Sequence, residues 1–172
     1  EFNIEGNPNP RFLQLVSANA PDQCTLVPDA PDALTSDTGW DTIKERDFLT
    51  DVIAELKSVG IRTSIFLDPD PNMVEGAMRV GADRIEFYTG EFAKGYHIDR
   101  DKAIEAFVET AEAAQAAGLG INAGHDLNLE NLAFFQQKIP HLLEVSIGHA
   151  LIVDALYYGL HNTIQMYLQK LS

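Results

Sequence analysis

The feature of this chain that most constrains its fold is a regular alternation of short β-rich runs with amphipathic helical stretches. Six such units follow one another, each closed by a Gly or a Pro and none joined to the next by a hairpin signal. This alternation predicts a parallel sheet with right-handed helical crossovers. The predicted strands cover residues 2–5, 23–27, 63–67, 84–88, 120–122 and 144–147.

An open, doubly wound sheet and a closed barrel share this alternation, and two details favour the barrel. Polar residues follow nearly every strand, whereas an open sheet concentrates them at one switch point. The short helix predicted after the last strand also lies where barrels often bind phosphate. A complete barrel has eight units in about 250 residues, whereas this chain of 172 residues supplies six. We therefore predict an α/β (β/α)8 TIM barrel that forms one domain over residues 1–172, carries strands 3 to 8 and lacks about the first two units.

Capping residues predict where the helices begin and end. The first helix is expected to start at Asn9, and a capping box from Thr42 to Glu45 predicts the start of the second. Asp70, followed by a proline, is the predicted cap of the third. The remaining predicted boundaries are Gly60, Gly81 and Gly118 as helix ends, Asn128 and Pro140 as the limits of the fifth helix, and two last helices that end at Tyr158 and Leu171.

The charge of the chain limits its partners. Its 12 basic and 26 acidic residues give a formal net charge of −14, with no cluster of Lys and Arg. Such a chain repels nucleic acid and anionic lipid, so neither is a predicted partner. No apolar run is long enough to span a membrane and no secretion signal is visible. A single cysteine, Cys24, fits a reducing cytoplasm.

Two carboxylates and two histidines, within the predicted strands or directly after them, are the candidate chemical groups. Glu5 ends the first strand, where partial loss of water can raise a carboxyl pKa into the range of a general base. Glu86 lies inside the fourth strand and needs either a site or a buried polar partner. His125 follows Gly124 at the end of the fifth strand, where a proton donor or acceptor is expected. His149 follows the last strand, where backbone N–H groups suit phosphate, and its side chain is equally well explained as structural.

The loop over residues 30–41 is longer than a tight strand-to-helix connection, which indicates a lid. Thr35 and Ser36 in this loop could donate hydrogen bonds to a phosphate, although a plain surface loop explains them equally well. Asp68 follows the third strand and its role stays open. The other notable residues are interpreted as structural: His97, His141 and His161 as structural or surface histidines, Cys24 as core, and Trp40 as lid packing.

Several motifs, taken together and in this order, resemble the pyridoxine 5′-phosphate synthase family over essentially the whole chain. The resemblance implies condensation of 1-deoxy-D-xylulose 5-phosphate with 3-amino-2-oxopropyl phosphate to give pyridoxine 5′-phosphate, phosphate and water. It implies a cytoplasmic transferase of pyridoxine biosynthesis that needs no metal or organic cofactor and assembles as a homo-octamer. The motifs are Asn3-Ile4-Glu5, Leu26-Val27-Pro28-Asp29, Thr89-Gly90, Asn122-Ala123-Gly124-His125-Asp126 and Ile147-Gly148-His149-Ala150.

The resemblance also implies a role for individual residues. Glu5 corresponds to the family's general acid/base and His125 to its proton donor. Thr35 corresponds to a lid threonine that contacts substrate phosphate. The remaining implied phosphate-binding positions are Gly124, Asp126, Gly148 and His149. The family's Asn-x-Asp-His and His-x-Arg motifs, which carry a further histidine and the phosphate-binding arginines, are not present in this sequence.

Three alternatives remain open at this stage. A Schiff-base aldolase of the same fold needs a lysine at a strand end, and only Lys94, in a predicted loop, comes near that requirement. A metallohydrolase could use Glu5, Asp68, His125 and His149 as ligands, although no His-x-His pair supports it. A catalytically inactive barrel fragment that acts only in assembly is the third.

Overall fold

A computed structural model describes residues 1–29, 33 and 35–172. Six parallel strands form one sheet whose spatial order is the order of the chain. This is the βα succession predicted from the sequence. The strands are β1 (Asn3–Gly6), β2 (Gln23–Leu26), β3 (Arg62–Leu67), β4 (Arg84–Tyr88), β5 (Gly120–Gly124) and β6 (Leu142–Ser146).

Helices follow every strand and cover the outer face of the sheet. Two of them, at the end of the chain, follow the last strand in succession. The helices are α1 (Pro10–Asn19), α2 (Arg46–Ser58), α3 (Pro71–Arg79), α4 (Gly90–Ala116), α5 (Leu132–Lys138), α6 (His149–Tyr158) and α7 (Leu160–Lys170). Among the residues that the structure describes, no helix combines the length and apolarity needed to cross a membrane.

The sheet curls into a large part of a barrel. Gln23 on β2 donates a hydrogen bond to Glu144 on β6 at 3.3 Å, although in a flat sheet these strands would lie about 19 Å apart at the usual strand spacing. Arg62 on β3 also lies 3.8 Å from Glu144. Contacts this short across the inner face require strong curvature. The predicted TIM-barrel class is therefore confirmed as a partial barrel of six strands.

The two faces of the strands differ in chemistry. The outward residues are apolar and pack against the helices, as Ile65, Phe87 and Ile121 do. The inward residues are largely polar, and Arg84 near the amino ends of the strands pairs with Glu144 at 2.7 Å. Alternate residues of a strand face inward. Glu86, two residues after Arg84, therefore also faces the barrel interior, where only 1% of the residue is exposed.

Helix caps agree with the sequence at two of the three predicted starts. The Asn9 side chain accepts from Phe12 N at 3.0 Å, and Asp70 accepts from Asn72 N at 2.8 Å. The capping box at Thr42 is wrong, because the Thr42 hydroxyl donates instead to the Met73 carbonyl at 2.7 Å. Helix α2 begins only at Arg46.

Helix α5 departs from its predicted start, and helix α4 is interrupted by a kink. Asn128 and Asn131 exchange side-chain-to-backbone hydrogen bonds of 2.8 and 3.2 Å. This local turn competes with the helix, so α5 starts at Leu132 and not at Asn128. Helix α4 contains a kink at Asp99, whose side chain accepts from Lys102 N at 3.1 Å and so caps the second half of the helix.

Candidate active site

An open cavity of about 1160 Å³ lies at the carboxyl ends of the strands, the face on which barrel enzymes build their active sites. All six strands, or the loops directly after them, contribute to its lining, as does the start of α6. The polar lining residues are Glu5, Asp29, Thr35, Ser36, Glu86, His125, Asp126, Asn128, Glu130, Ser146, His149 and Asp154.

Glu5 projects from the end of β1 into this cavity. Solvent reaches the side chain through the open mouth, yet the surrounding walls limit its hydration. This desolvation raises the pKa of Glu5, and the nearby charge of Asp29 raises it further. His125 acts in the opposite direction, which places the carboxyl and the imidazole within electrostatic reach of each other. A carboxyl with a raised pKa that opens on a cavity suits general acid/base chemistry.

Glu86 is the buried acid of the cavity. Burial raises its pKa to about 8, with a second contribution from the negative charge of Glu5. Hydrogen bonds from Ser146 and from Thr25, the latter at 3.2 Å, favour the charged form but do not outweigh burial. Glu86 is therefore largely protonated at neutral pH and can donate a proton or a hydrogen bond into the cavity.

Gly124 allows Glu86 to lie against β5. A Cβ atom at position 124 would collide with Glu86 Oε1, so only glycine leaves room for the carboxyl. Thr89 holds the same segment from β4, because its hydroxyl and its backbone N–H both donate to the Gly124 carbonyl, at 2.9 and 3.1 Å. The family resemblance implied a phosphate-binding role for Gly124, and the structure shows in addition the close approach of a side chain to this glycine.

His125 lies at the centre of the polar groups. Its φ of +77° is uncommon for a non-glycine residue. Thr35 Oγ1 lies 2.7 Å from Nε2, and Asp126 Oδ2 lies 3.4 Å from Nδ1. The ring also meets the edge of Tyr88, with 5.4 Å between centroids, and lies 6.4 Å from the ring of His149. The imidazole is thus held from several sides, with both nitrogens next to polar partners.

The amino end of α6 borders the cavity. Gly148 is the N-cap residue of α6. Because glycine has no side chain, the N–H groups of the first turn receive no side-chain cap. A Cβ atom at Gly148 would meet nothing within 4 Å. Unpaired N–H groups at a helix start attract anions, so this end of α6 can receive a phosphate.

The charge of the cavity opposes anionic ligands. Six carboxyl groups and two imidazoles are among the described lining residues, whereas no Lys or Arg is. Protonation of Glu86 removes one negative charge. Backbone N–H groups and imidazoles are therefore the described groups that can attract a phosphate.

Several candidates from the sequence lie outside the cavity. Asp68 contacts the loop after β2 instead of the cavity. His97, His141 and His161 are exposed and do not line it. Trp40 is buried and donates from Nε1 to the Leu26 carbonyl at 3.0 Å, so it belongs to the core. Of the loop residues considered as a lid, Ala30, Pro31, Asp32 and Leu34 lie outside the described residues.

The structure also bears on the alternative enzymes. None of the lysines in the described part of the chain lines the cavity, so the requirement of a Schiff-base aldolase is not met there. Within the same described residues, no group of three or more His, Cys, Asp and Glu side chains is arranged to hold a metal ion. The proposed metallohydrolase ligands are separated, because Asp68 is not part of the lining.

Ser146 and Asp154 are lining residues that the sequence did not single out. Ser146 ends β6 and hydrogen-bonds Glu86, and Asp154 accepts from the Tyr167 hydroxyl at 2.8 Å. The alternation of inward residues on β6, with Glu144 two positions earlier, could have identified Ser146. The position of Asp154 in the cavity depends on how α6 packs on α7, and the local sequence does not indicate this packing.

Comparison with known proteins fits this geometry. The family model for pyridoxal phosphate biosynthesis protein PdxJ matches residues 1–172. The chain belongs to the PdxJ family. It is 58% identical to a pyridoxine 5′-phosphate synthase from Cytophaga hutchinsonii over 172 residues, which is all of this chain and 72% of that protein. It is 51% identical to a protein of the same name from Porphyromonas gingivalis, again over all of this chain and 72% of the relative.

Solved structures support the barrel alone. A mutant tryptophan synthase α-subunit from Pyrococcus furiosus superposes with a TM-score of 0.59 at 14% identity, covering 98% of this chain and 65% of that one. The Amycolatopsis orientalis BexX/CysO complex contains a chain with a TM-score of 0.60 at 16% identity, covering 96% and 64%. At such low identity the shared feature is the fold.

Proposed function

We propose that this PdxJ-family chain forms the catalytic barrel of a pyridoxine 5′-phosphate synthase. The reaction would condense 1-deoxy-D-xylulose 5-phosphate with 3-amino-2-oxopropyl phosphate, releasing phosphate and water. The observation that carries the proposal is the convergence of Glu5, Glu86 and His125 on one cavity beside the amino end of α6. Ring formation needs repeated proton transfers at carbon and oxygen, and these groups can supply them.

The three titratable groups suit different steps. Glu86 is protonated at neutral pH and is the natural donor when a carbonyl oxygen must leave as water. Glu5 has a raised pKa and is open to the cavity, so it can accept a proton from carbon and return it later. His125 can pass a proton through Nε2 once that nitrogen faces a substrate instead of Thr35. These roles agree with the general acid/base chemistry expected of Glu5 and His125.

Phosphate binding is assigned to backbone groups around two turns. The N–H groups after Gly148, together with His149, form one receptor, and the turn of Gly124, His125 and Asp126 forms the other. Thr35 supplies a hydroxyl next to His125. No organic cofactor or metal is required by this scheme, because its steps are addition of the amine to a carbonyl, an aldol-type ring closure, proton transfers, and the loss of water and phosphate.

The acidic cavity indicates that further cations complete the site. We propose that two additional βα units close the barrel between β6 and β1 and bring basic side chains to the phosphates. Two observations support this: the sheet has six strands of the eight in a complete barrel, and the chain matches 72% of the Cytophaga relative. Assembly as a homo-octamer and location in the cytoplasm belong to the same proposal, the latter supported by the absence of a second cysteine to pair with Cys24.

The test is direct detection of the product. The natural protein and the 172-residue chain are each incubated with both substrates, and pyridoxine 5′-phosphate and released phosphate are measured by mass spectrometry and a phosphate assay. We expect equimolar formation of the two in the natural protein, unaffected by borohydride. Release of phosphate without pyridoxine 5′-phosphate, or a borohydride-trapped lysine adduct, would favour an aldolase. Activity of the natural protein with none in the chain alone would identify the chain as an incomplete site.

A further inference from the structure

We propose that Asp68 is a positioning residue that fixes the loop segment Thr35–Trp40 so that Thr35 faces His125. Asp68 does not line the cavity, so it would act through this segment and not by touching a substrate. The inference rests on the proposed function for its kinetic test, while its structural test is independent of any activity.

Asp68 stands directly after β3 and holds the segment by its carboxylate. Its Oδ2 accepts a hydrogen bond from Gly39 N at 3.0 Å and a longer one from the Thr38 hydroxyl at 3.4 Å. A carboxylate that accepts from a backbone N–H forms one of the stronger hydrogen bonds in proteins. Asp68 therefore links the end of β3 to the loop that follows β2.

Gly39 makes this link specific, because the backbone there lies against β3. A Cβ atom at position 39 would collide with the Asp68 backbone nitrogen and with Leu67. Trp40, the next residue, continues the contact by donating from its backbone N to the Phe66 carbonyl at 2.9 Å and from Nε1 to the Leu26 carbonyl at 3.0 Å. The segment is thus attached to the ends of both β2 and β3.

The attachment sets the position of Thr35. Thr35 precedes Gly39 by four residues, and its Oγ1 lies 2.7 Å from His125 Nε2. Ser36 is tied to the other side of the loop through its hydrogen bond to Asp29. With Asp68 removed, the Gly39 N–H and the Thr38 hydroxyl would lose their acceptor, and the attachment of the segment to the end of β3 would rest on Trp40.

The kinetic test compares Asp68→Ala and Asp68→Asn in the natural protein. We expect Asp68→Ala to raise the KM for the phosphorylated substrate that Thr35 contacts by about tenfold, the usual effect of one lost charge-assisted hydrogen bond, with a smaller change in kcat. Asp68→Asn keeps an oxygen that can accept from Gly39 N, so its KM should stay within about twofold of wild type. Gly39→Ala should reproduce the effect of Asp68→Ala.

Asp70→Ala is the matched control, because Asp70 lies two residues away and caps α3. It should lower Tm without changing KM. Hydrogen exchange at the Gly39 and Trp40 amides is the second readout. Asp68→Ala should accelerate this exchange about tenfold, whereas Asp68→Asn should leave its rate unchanged.

Three outcomes would overturn the proposal. An Asn variant as impaired as the Ala variant would show that the bond accepted from Gly39 N is not what positions Thr35, because Asn keeps that acceptor. Faster exchange with an unchanged KM would reduce Asp68 to a purely structural residue. Unchanged exchange in Asp68→Ala would remove the link altogether. If the wild-type protein forms no product, the proposed function fails, and the exchange experiment still decides whether Asp68 holds the segment.

Discussion

At the scale of single residues, the chemistry follows from which side chains the strands turn inward. The alternation of side chains along a strand directs Glu5 and Glu86 into the barrel. Loss of water there raises the pKa of both carboxyl groups. The importance of these positions could be inferred from a carboxylate at a strand end and another within a strand. Their different environments could not, because Asp29 and Ser146 reach them from distant parts of the chain.

Glu86 should make stability depend on pH. Its pKa is about 8 in the fold against 4.5 for an ordinary Glu, so between these values the folded chain holds a proton that the unfolded chain has released. Stability must therefore fall as pH rises from about 4.5 to about 8. Glu86→Gln removes this titration and should gain roughly 2–3 kcal/mol relative to wild type at pH 7, but little at pH 4.

Urea unfolding of both proteins across this pH range measures the effect. Glu105→Gln, at an exposed position on α4, is the control and should leave the slope unchanged. A wild-type slope in Glu86→Gln would show that Glu86 is not the buried acid described above.

The two glycines of the site should respond differently to alanine. Gly124→Ala places a methyl group against Glu86 Oε1, so we expect lower stability and a fall in kcat as the carboxyl is displaced. Gly148→Ala meets open space and should keep stability within about 0.5 kcal/mol, while raising KM if a phosphate approaches that backbone. Equal effects of both variants on kcat and KM would contradict these assignments.

At the scale of elements, hydrophobic periodicity and capping residues predicted most of the architecture. Residues 84–88 were predicted as a strand and form β4 without change. The errors arise where a side chain has a distant or competing partner: Thr42 bonds Met73 across to α3, and Asn128 forms a turn with Asn131. Neither partner can be identified from local sequence, because the choice is made by packing and turn geometry.

The cap of α1 offers a stability test at this scale. Asn9→Ala removes the acceptor for Phe12 N and should cost about 1 kcal/mol. Chemical denaturation measures the loss, with Ser17→Ala, an exposed position on the same helix, as the control. A change below that of the control would mean that the cap contributes nothing to stability.

At the scale of the whole molecule, the curled sheet ends in two strands, β1 and β6, that do not pair with each other. Exposed apolar side chains lie on α6, the helix that follows β6, among them Leu156 and Tyr157, each 81% exposed. Large exposed apolar surfaces indicate contact with further protein. The order of strands could be predicted from the alternating pattern, whereas the acidic character of the cavity emerges only when acids from β1, β4, α6 and the loops after β2 and β5 meet.

The proposed closing units predict the mass of the natural protein. The intact mass of the natural protein, measured by mass spectrometry, should exceed the 19.0 kDa of this chain by roughly the mass of two βα units. A natural protein of 19.0 kDa that is fully active would contradict the proposal that further strands complete the site.

The shared action of Glu5 and His125 is the central claim, and a double-mutant cycle on turnover tests it most directly. Glu5→Gln and His125→Ala should each lower kcat by about a hundredfold or more, the usual contribution of a general acid or base. Because groups that act as a unit are not additive, the double variant should be little slower than the slower single variant. Wild-type turnover in either single variant, or fully multiplicative losses in the double variant, would contradict the account.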